Sequence, residues 1–293
     1  MTHVLTVLEV VAPVLLLGAL GFAWVRMGFE YRIQFVTHIS MTLAVPALIF
    51  VSLMQTEIDP AALTTVSLAA AAAYGVITVI TALTFWALGL DRRTYLAPAI
   101  FGNTGNIGLP IALFAFGDVG LGYAVVVFAV MSVFAFSFGV WLVSGGGSLL
   151  RVVQEPMVAA TLLGALFLWQ GWQTPTFLTN ALSLIGQMAI PLMLITLGVG
   201  VARLTPGRLG GAVAISVGKA VICIAAAWAV GRWFELEPVA FAVLVLQIAT
   251  PVAVTSYLLA EKYGADGEAV AGLVFASTLL SIALIPALLA VLI

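Results

Sequence analysis

The sequence predicts an all-α polytopic membrane protein: ten transmembrane helices, arranged as two inverted five-helix repeats with a broken crossover helix in each repeat. Three observations predict this fold. Hydrophobic residues make up 63% of the 293 residues and charged residues only 8%, whereas a soluble domain carries about 25% charged residues. Prolines recur at matching positions in the two halves of the chain. Positive charges concentrate on alternate connections between the apolar segments.

The apolar segments are long enough to cross a bilayer ten times. A crossing helix needs about 20 predominantly apolar residues, and charged residues, prolines and glycine clusters separate the segments from one another. The predicted spans, numbered 1 to 10, cover residues 4–26, 33–55, 61–89, 95–117, 119–143, 150–171, 175–201, 208–232, 238–262 and 267–292.

Five prolines of the first half each have a counterpart 140 to 146 residues later. The pairs are Pro13 with Pro156, Pro46 with Pro191, Pro60 with Pro206, Pro98 with Pro238, and Pro110 with Pro251. Each half holds an odd number of predicted spans, so the second half enters the membrane from the opposite side, as in the inverted repeats of secondary transporters. The sequence therefore predicts repeats over residues 1–146 and 147–293, with span 9 as the mate of span 4.

The distribution of charge predicts the orientation and excludes several classes of partner. Eight of the ten Lys and Arg residues lie on connections that follow odd-numbered spans, and one lies on the others. Because positive residues concentrate on the cytoplasmic side, both termini are predicted to face outward. The net charge of −2, without basic-aromatic interleaving, excludes nucleic acid as a partner. The single cysteine, Cys223, excludes an internal disulfide and a Cys-rich metal site.

The stretch from Gly102 to Pro110, G-N-T-G-N-I-G-L-P, is the most informative part of span 4. Three glycines and a proline disfavour a continuous helix, and a loosened backbone survives in a bilayer only where protein or a water-filled cavity satisfies it. This predicts a broken helix that forms the floor of a binding site. The stretch from Gln247 to Pro251, Q-I-A-T-P, is its mate in span 9.

Two broken helices that meet near the midplane favour an anion. Each restarted half-helix presents N-terminal N–H groups that are equivalent to roughly half a positive charge, and a carboxylate suits two such ends that face one cavity. The alternative is that the polar side chains only hydrogen-bond between helices. The predicted substrate-binding residues are Asn103, Thr104, Asn106 and Pro110 of span 4, and Gln247, Thr250 and Pro251 of span 9.

Two ionisable residues within predicted spans are further candidates. Lys219 lies about twelve residues into span 8, where an ammonium costs ~2.5–3.5 kcal/mol and needs water, an anion or a polar partner. We expect it to belong to the anion site or to carry a proton; the alternative is that it caps carbonyls of a broken helix. Glu9, near the outer end of span 1, is a weaker candidate for a proton or ion site.

No motif of a metalloprotease, an α/β-hydrolase or a P-loop enzyme occurs in the chain. The sequence therefore indicates a carrier of a small organic anion that uses no cofactor and no metal and catalyses no reaction. An anion channel and a membrane-embedded enzyme are the alternatives. A channel would show a polar stripe through several spans, and an enzyme an acid/base pair or metal ligands at one depth.

The chain resembles the auxin efflux carrier family, which includes plant auxin carriers and bacterial carriers of malonate and related acids. The resemblance extends over essentially the whole chain. It rests on the stretch from Gly102 to Pro110, on Thr250-Pro251 with L-A-E-K-Y-G from Leu259, on S-T-L-L-S from Ser277 with Pro286, and on Lys219.

This resemblance implies crossover helices broken at Pro110 and Pro251, with Asn103 and Asn106 lining the substrate site. It also implies a scaffold of spans 1, 2, 6 and 7 and a moving transport domain of spans 3–5 and 8–10, working as an elevator. A homodimer in contact with membrane lipid, in a bacterial inner membrane, is the implied setting.

Overall fold

The computed structural model describes residues 2–144, 156–203 and 209–293. In these ranges the chain is helical throughout its regular structure, apart from one isolated antiparallel β-bridge between Gly102 and Val252. The predicted all-α class is confirmed. The predicted boundary between the repeats at 146/147 and the paired proline Pro206 lie outside the described residues.

The described helices, numbered here in chain order, begin with α1 (Thr2–Arg26), α2 (Ile33–Ile39), α3 (Val45–Gln55), α4 (Pro60–Ala87), α5 (Arg92–Ile100), α6 (Leu109–Phe134) and α7 (Val140–Ser144). They continue with α8 (Pro156–Gln170), α9 (Thr176–Gln187), α10 (Ala189–Arg203), α11 (Leu209–Trp233), α12 (Pro238–Ile248), α13 (Val254–Tyr263) and α14 (Gly267–Leu292). Single π-helical turns connect several of these helices. Ser40–Ala44 joins α2 to α3, Thr104–Gly108 precedes α6, and Ala135–Gly139 joins α6 to α7.

Seven helical stretches in the described ranges are long and apolar enough to cross a membrane. They are Leu5–Arg26, Ile33–Gln55, Pro60–Ala87, Thr104–Ser144, Thr176–Arg203, Gly210–Trp233 and Gly267–Leu292. Shorter apolar helices cover Pro156–Gln170 and Pro238–Ile248. The chain is therefore a polytopic integral membrane protein, whereas the count of ten spans and the inversion of the repeats stay predictions.

Local capping explains where several helices begin. The Asp59 carboxylate accepts a hydrogen bond from the Ala61 N–H, with proline in the first helical position of α4, which is a favoured helix start. Asp91 caps α5 and Asp266 caps α14 in the same way. Within α6, Gly117 has φ 63° and ψ −154° and kinks the helix, at the place where the sequence predicts the turn between spans 4 and 5. Only glycine adopts such a backbone conformation without strain.

Glycines let α1 and α10 cross with their backbones in contact. A Cβ on Gly21 would lie 2.0 Å from the Ile195 carbonyl oxygen, and one on Gly198 would lie 1.8 Å from the Gly18 carbonyl oxygen. Small residues allow this close approach between apolar helices. Elsewhere α3 packs on α8 and α9, α11 packs on α14 and α4, and α6 packs on α12 and α4. Helices α1–α3 and α8–α10 thus pack mainly among themselves, as do α4–α7 with α11–α14.

Candidate functional site

Two interrupted helices cross at the centre of the structure. The helix that begins with α5 stops at Ile100 and resumes at Thr104, and the one that begins with α12 stops at Ile248 and resumes at Val254. The first interruption therefore lies before Pro110, whereas the family resemblance implies a break at Pro110 itself. Pro110 lies in the first turn of α6, directly after the π-helical turn Thr104–Gly108.

The interruptions are hydrogen-bonded to each other. In the bridge between Gly102 and Val252, the Asn103 N–H donates to the Pro251 carbonyl at 2.7 Å. Backbone groups that a continuous helix would satisfy internally find partners across the crossing instead, as a segment within a bilayer requires.

Glycines in the first interrupted helix make this approach possible. A Cβ on Gly102 would lie 2.3 Å from Thr250 Oγ1 and 2.9 Å from the Thr250 carbonyl oxygen. A Cβ on Gly108 would lie 2.1 Å from Gln247 Oε1. The glycine spacing that predicted a broken helix therefore serves the close contact between the two segments.

The two restarted helices begin differently. Asn103 caps the first, with its Oδ1 accepting a hydrogen bond from the Asn106 N–H at 3.3 Å. Its carbonyl oxygen accepts from the N–H groups of Ile107 and Gly108. Ala253 precedes α13 and offers no side-chain cap. The first N–H groups of α13 are therefore without a side-chain acceptor, and the partial positive charge of a helix N-terminus remains there.

A cavity of about 400 Å³ lies against both restarted helices. Its polar lining beside the crossing comes from Asn103, Asn106, Thr255 and Ser256. Aromatic and methionine side chains contribute to its apolar wall: Phe101, Phe128, Met41, Met131 and Met157. Helices α2 to α3 and α8 contribute Met41 and Met157, so the cavity lies between the two packing groups of helices.

The Asn103 side chain has an unused donor beside this cavity. Asn103 is only 5% exposed, and its Nδ2 has no hydrogen-bond partner within the described residues. A buried amide group without a partner is costly. The lining contains no carboxylate among the described residues. An acceptor on a bound molecule would satisfy the Nδ2 group.

The other predicted substrate-binding residues do not line this cavity. Thr104, Pro110, Gln247, Thr250 and Pro251 are all buried. Thr104 Oγ1 and both amide atoms of Gln247 lack partners within the described part of the chain. Of these side chains, Thr250 lies against Gly102 and Gln247 lies against Gly108, at the contact between the two interrupted helices.

Lys219 contacts the second interruption. It is 6% exposed, and its Nζ donates to the Thr250 carbonyl at 3.1 Å and lies 3.7 Å from Cys223 Sγ. Lys219 is not among the residues that line the cavity. This geometry matches the carbonyl-capping alternative, and a direct contact of the ammonium with an anion stays a prediction.

Glu9 lies on an exposed face of α1 and does not line the cavity. Its predicted role as a proton or ion site has no geometric support in the described chain, and it stays a prediction. In the described residues, no cluster of three or more His, Cys, Asp or Glu side chains could hold a metal ion.

Arg93 was missed as a site residue. It lines the end of the cavity away from the crossing. There its Nε donates to the Val143 carbonyl at 2.8 Å, and Nη2 donates to the Tyr263 carbonyl. In the sequence, Arg93 contributes only to the predicted orientation. Its spacing from Ala97 and Phe101, one helical turn each, could have placed it on the cavity face.

Sequence comparisons place the chain among transport proteins. The sequence model of the membrane transport protein family matches residues 141–289, which is half of the chain. An uncharacterized transporter of Methanothermobacter thermautotrophicus is 28% identical over 296 residues, covering 95% of this chain and 96% of its own length. An uncharacterized transporter of Methanocaldococcus jannaschii is 25% identical over 199 residues, 64% of each chain. The first of these similarities extends over nearly the whole length of both proteins.

Proposed function

Because the chain belongs to the auxin efflux carrier family of membrane transport proteins, we propose that it is a secondary transporter of a small organic anion. The anion is a carboxylate, and it binds in the 400 Å³ cavity beside the crossing of the interrupted helices. The observation that carries this proposal is the convergence of two helix N-termini on one cavity without a carboxylate in its described lining.

The chemistry of the cavity suits a carboxylate with an apolar body. Asn103 Nδ2 supplies a free side-chain donor, and the uncapped start of α13 supplies backbone donors and a partial positive charge. Asn106 and Thr255 add polar groups beside them. The methionine and aromatic wall accommodates the rest of the molecule, because methionine adapts to varied shapes.

The position of the cavity supports alternating access. It extends from the crossing toward Arg93 and Val143, at the predicted cytoplasmic end of the molecule. Its walls come from both packing groups of helices, so movement of one group against the other would close this side and open the opposite one. We propose α1–α3 and α8–α10 as the scaffold and α4–α7 with α11–α14 as the moving domain of an elevator.

Contacts between chain segments support the predicted topology. Arg93 donates to Val143 and Tyr263, and all three residues belong to ends that are predicted to be cytoplasmic. Tyr123 donates to Glu237 at 3.0 Å, and both lie toward the predicted outer end. These pairings are expected from ten spans with both termini outside.

Accessibility labelling tests the orientation. In a Cys223→Ser background, Ile293→Cys should react with an impermeant maleimide in intact cells, and Lys262→Cys should react only after permeabilisation. The reverse pattern would invert the transporter and the predicted polarity of both interrupted helices.

We propose a homodimer that assembles through the scaffold in the inner membrane of a bacterium. Light scattering of the purified protein in detergent tests the stoichiometry. A mass of one chain plus its detergent would contradict the dimer and leave the transport proposal standing.

Transport itself is tested in two steps. Aromatic and aliphatic carboxylates are first screened by thermal unfolding in detergent, where a ligand at one hundred times its dissociation constant adds about 2.7 kcal/mol of stability. A carboxylate that stabilises the protein is then used for counterflow in proteoliposomes. Wild-type protein should exchange labelled for unlabelled carboxylate, and an Asn103→Ala variant should not.

The counterflow result separates the proposal from its rivals. A channel would carry the label without acceleration by unlabelled carboxylate on the opposite side. An enzyme would return a chemically altered molecule. Failure of every carboxylate to stabilise the wild-type protein would contradict the proposed substrate class.

A further inference from the structure

The second interruption is not held by a capping side chain of its own. Residues 249–253 separate α12 from α13, and Ala253 provides no side-chain cap. Thr250 Oγ1 bonds back to the Gln247 carbonyl of the preceding helix at 2.7 Å. The remaining polar backbone groups of this segment depend on neighbouring helices, since a polar backbone group in hydrocarbon must find a partner.

In addition to the bonds with the first interruption, side chains from two different helices supply partners. Lys219 of α11 donates from Nζ to the Thr250 carbonyl at 3.1 Å. Ser277 of α14 accepts at Oγ from the Val252 N–H at 3.0 Å, and it donates to the Val274 carbonyl of its own helix. Both side chains are buried, with 6% and 4% of their surfaces exposed. They hold the residues on either side of Pro251.

The charge of Lys219 fits this role. Its ammonium forms no ion pair within the described residues. It lies where α12 ends, beside the carbonyl groups that carry the negative end of the helix dipole. A lysine near a helix C-terminus bonds the last carbonyls and interacts favourably with the dipole. The positive charge is therefore directed at the crossing itself.

Pro251 connects this support to the cavity. Its carbonyl oxygen accepts the hydrogen bond from the Asn103 N–H at 2.7 Å, and Asn103 lines the cavity. A shift of Thr250 or Val252 would move Pro251 with them, because the three residues are consecutive. Asn103 would lose its backbone partner, and its side-chain donor would leave its position.

We propose that Lys219 and Ser277 are positioning residues: they fix the second interruption from both sides, and through Pro251 they hold Asn103 in place for the anion. The inference rests on the proposed function. Lys219 acts on the anion through the backbone at the crossing, without contact between the ammonium and the anion.

The first test needs no ligand. Backbone hydrogen exchange is measured for the Asn103 amide in wild type, Ser277→Ala, Lys219→Met and Ser281→Ala. Ser281 is a matched control, because it is buried on the same helix one turn later and, among the described residues, bonds only to the Thr278 carbonyl. Exchange at Asn103 should become at least tenfold faster in the first two variants and stay within twofold of wild type in the control. Unchanged exchange in both variants would overturn the inference, whatever the protein transports.

The second test is a double-mutant cycle on the affinity for the carboxylate found by thermal unfolding. Ser277→Ala should weaken binding about 3- to 10-fold, and Lys219→Met at least as much. In an Asn103→Ala background both penalties should shrink to less than twofold, because positions that act through one residue are not additive. Lys219→Arg should restore part of the lost affinity, because it keeps the charge and a donor.

The outcomes separate the alternatives. Direct contact between Lys219 and the anion predicts an unchanged affinity for Ser277→Ala and a normal Asn103 amide in Lys219→Met, and either result overturns the inference. If Lys219→Met does not fold, Ser277→Ala carries both tests alone. A wild-type protein that binds no carboxylate contradicts the proposed function, and the exchange experiment still decides the positioning role.

Discussion

The two interruptions at the crossing perform similar tasks with different means. Asn103 caps the first with its own side chain, and its carbonyl accepts two hydrogen bonds from the turn that follows. The second has alanine at the capping position and is held by Lys219 and Ser277 from other helices. The first is thus encoded within a few consecutive residues, whereas the second depends on the packing of α11 and α14.

This difference assigns the two interruptions different parts in binding. The capped start of the first helix places a buried side-chain donor, Asn103 Nδ2, beside the cavity. The uncapped start of α13 presents backbone donors that no side chain occupies. One end therefore contributes a positioned amide and the other an open helix N-terminus, and an anion between them would be bound by both.

The largest effect is expected from forcing the two interruptions apart. Gly102→Ala places a methyl group 2.3 Å from Thr250 Oγ1 and 2.9 Å from the Thr250 carbonyl oxygen. The backbone must shift, with a cost of about 1–3 kcal/mol in stability, and binding should be lost. Thermal unfolding and carboxylate affinity measure the two effects.

Gly75→Ala in α4 is the matched control for this change, because nothing lies within 4 Å of its added Cβ. It should leave affinity unchanged. The double variant Gly102→Ala with Thr250→Ala removes the nearer clash and should recover part of the stability. Normal affinity in Gly102→Ala would show that the close approach is not needed for the site.

The next effect tests the capped interruption. Asn103→Ala removes the cap and the free donor together, and loss of a hydrogen bond to a charged group costs about 1.5–3 kcal/mol, or about 10- to 150-fold in affinity. Asn106→Ala should weaken binding as well, because Asn106 lines the same cavity. Isothermal titration with the identified carboxylate measures both losses.

Asn180→Ala provides the control, because Asn180 is exposed on α9 and should leave affinity unchanged. If Asn103→Ala and Asn106→Ala both bind as tightly as wild type, the asparagines only pack the crossing, and the anion site lies elsewhere.

A smaller effect is expected from making the second interruption resemble the first. Ala253 has φ −72° and ψ 143°, which suits a capping residue, and Ala253→Asn should stabilise the protein by about 0.5–2 kcal/mol. The new side chain would occupy N–H groups that the anion needs, so affinity should fall about threefold. Ala253→Asp adds a negative charge at the same place and should reduce affinity at least tenfold. Gains in stability without any loss of affinity would exclude the start of α13 from the site.

The first interruption could be predicted from sequence because its determinants are local. Asn103, the glycines around it and Pro110 lie within nine residues, and their backbone preferences are properties of the residues themselves. Even so, the break lies at residues 101–103, before the π-helical turn Thr104–Gly108, whereas the family resemblance implies a break at Pro110. The all-α membrane class followed from composition in the same direct way.

The partners of the second interruption could not be predicted in this way. Lys219 and Ser277 lie 31 and 25 residues from the groups they bind, so the contacts exist only after α11, α12 and α14 have packed. A buried lysine indicates a polar partner, but the sequence offers an anion and a carbonyl equally well. Arg93 was missed for a related reason. The cavity wall beside it forms from the ends of α5, α7 and α13, which are far apart in the sequence.

The smallest effect concerns the charged mouth of the cavity, away from both interruptions. Arg93 is exposed and, within the described residues, keeps donors free beyond its bonds to Val143 and Tyr263. A positive charge beside an entrance raises the encounter rate with anions, and salt screens the effect. Arg93→Gln should therefore slow carboxylate association about threefold at low ionic strength, and the difference should vanish in high salt.

Lys262→Gln removes the same charge at the same end but outside the cavity lining, so its association rate should remain close to wild type. An equal slowing in both variants would mean that net charge attracts the anion, and Arg93 would then have no particular place in its path to the crossing.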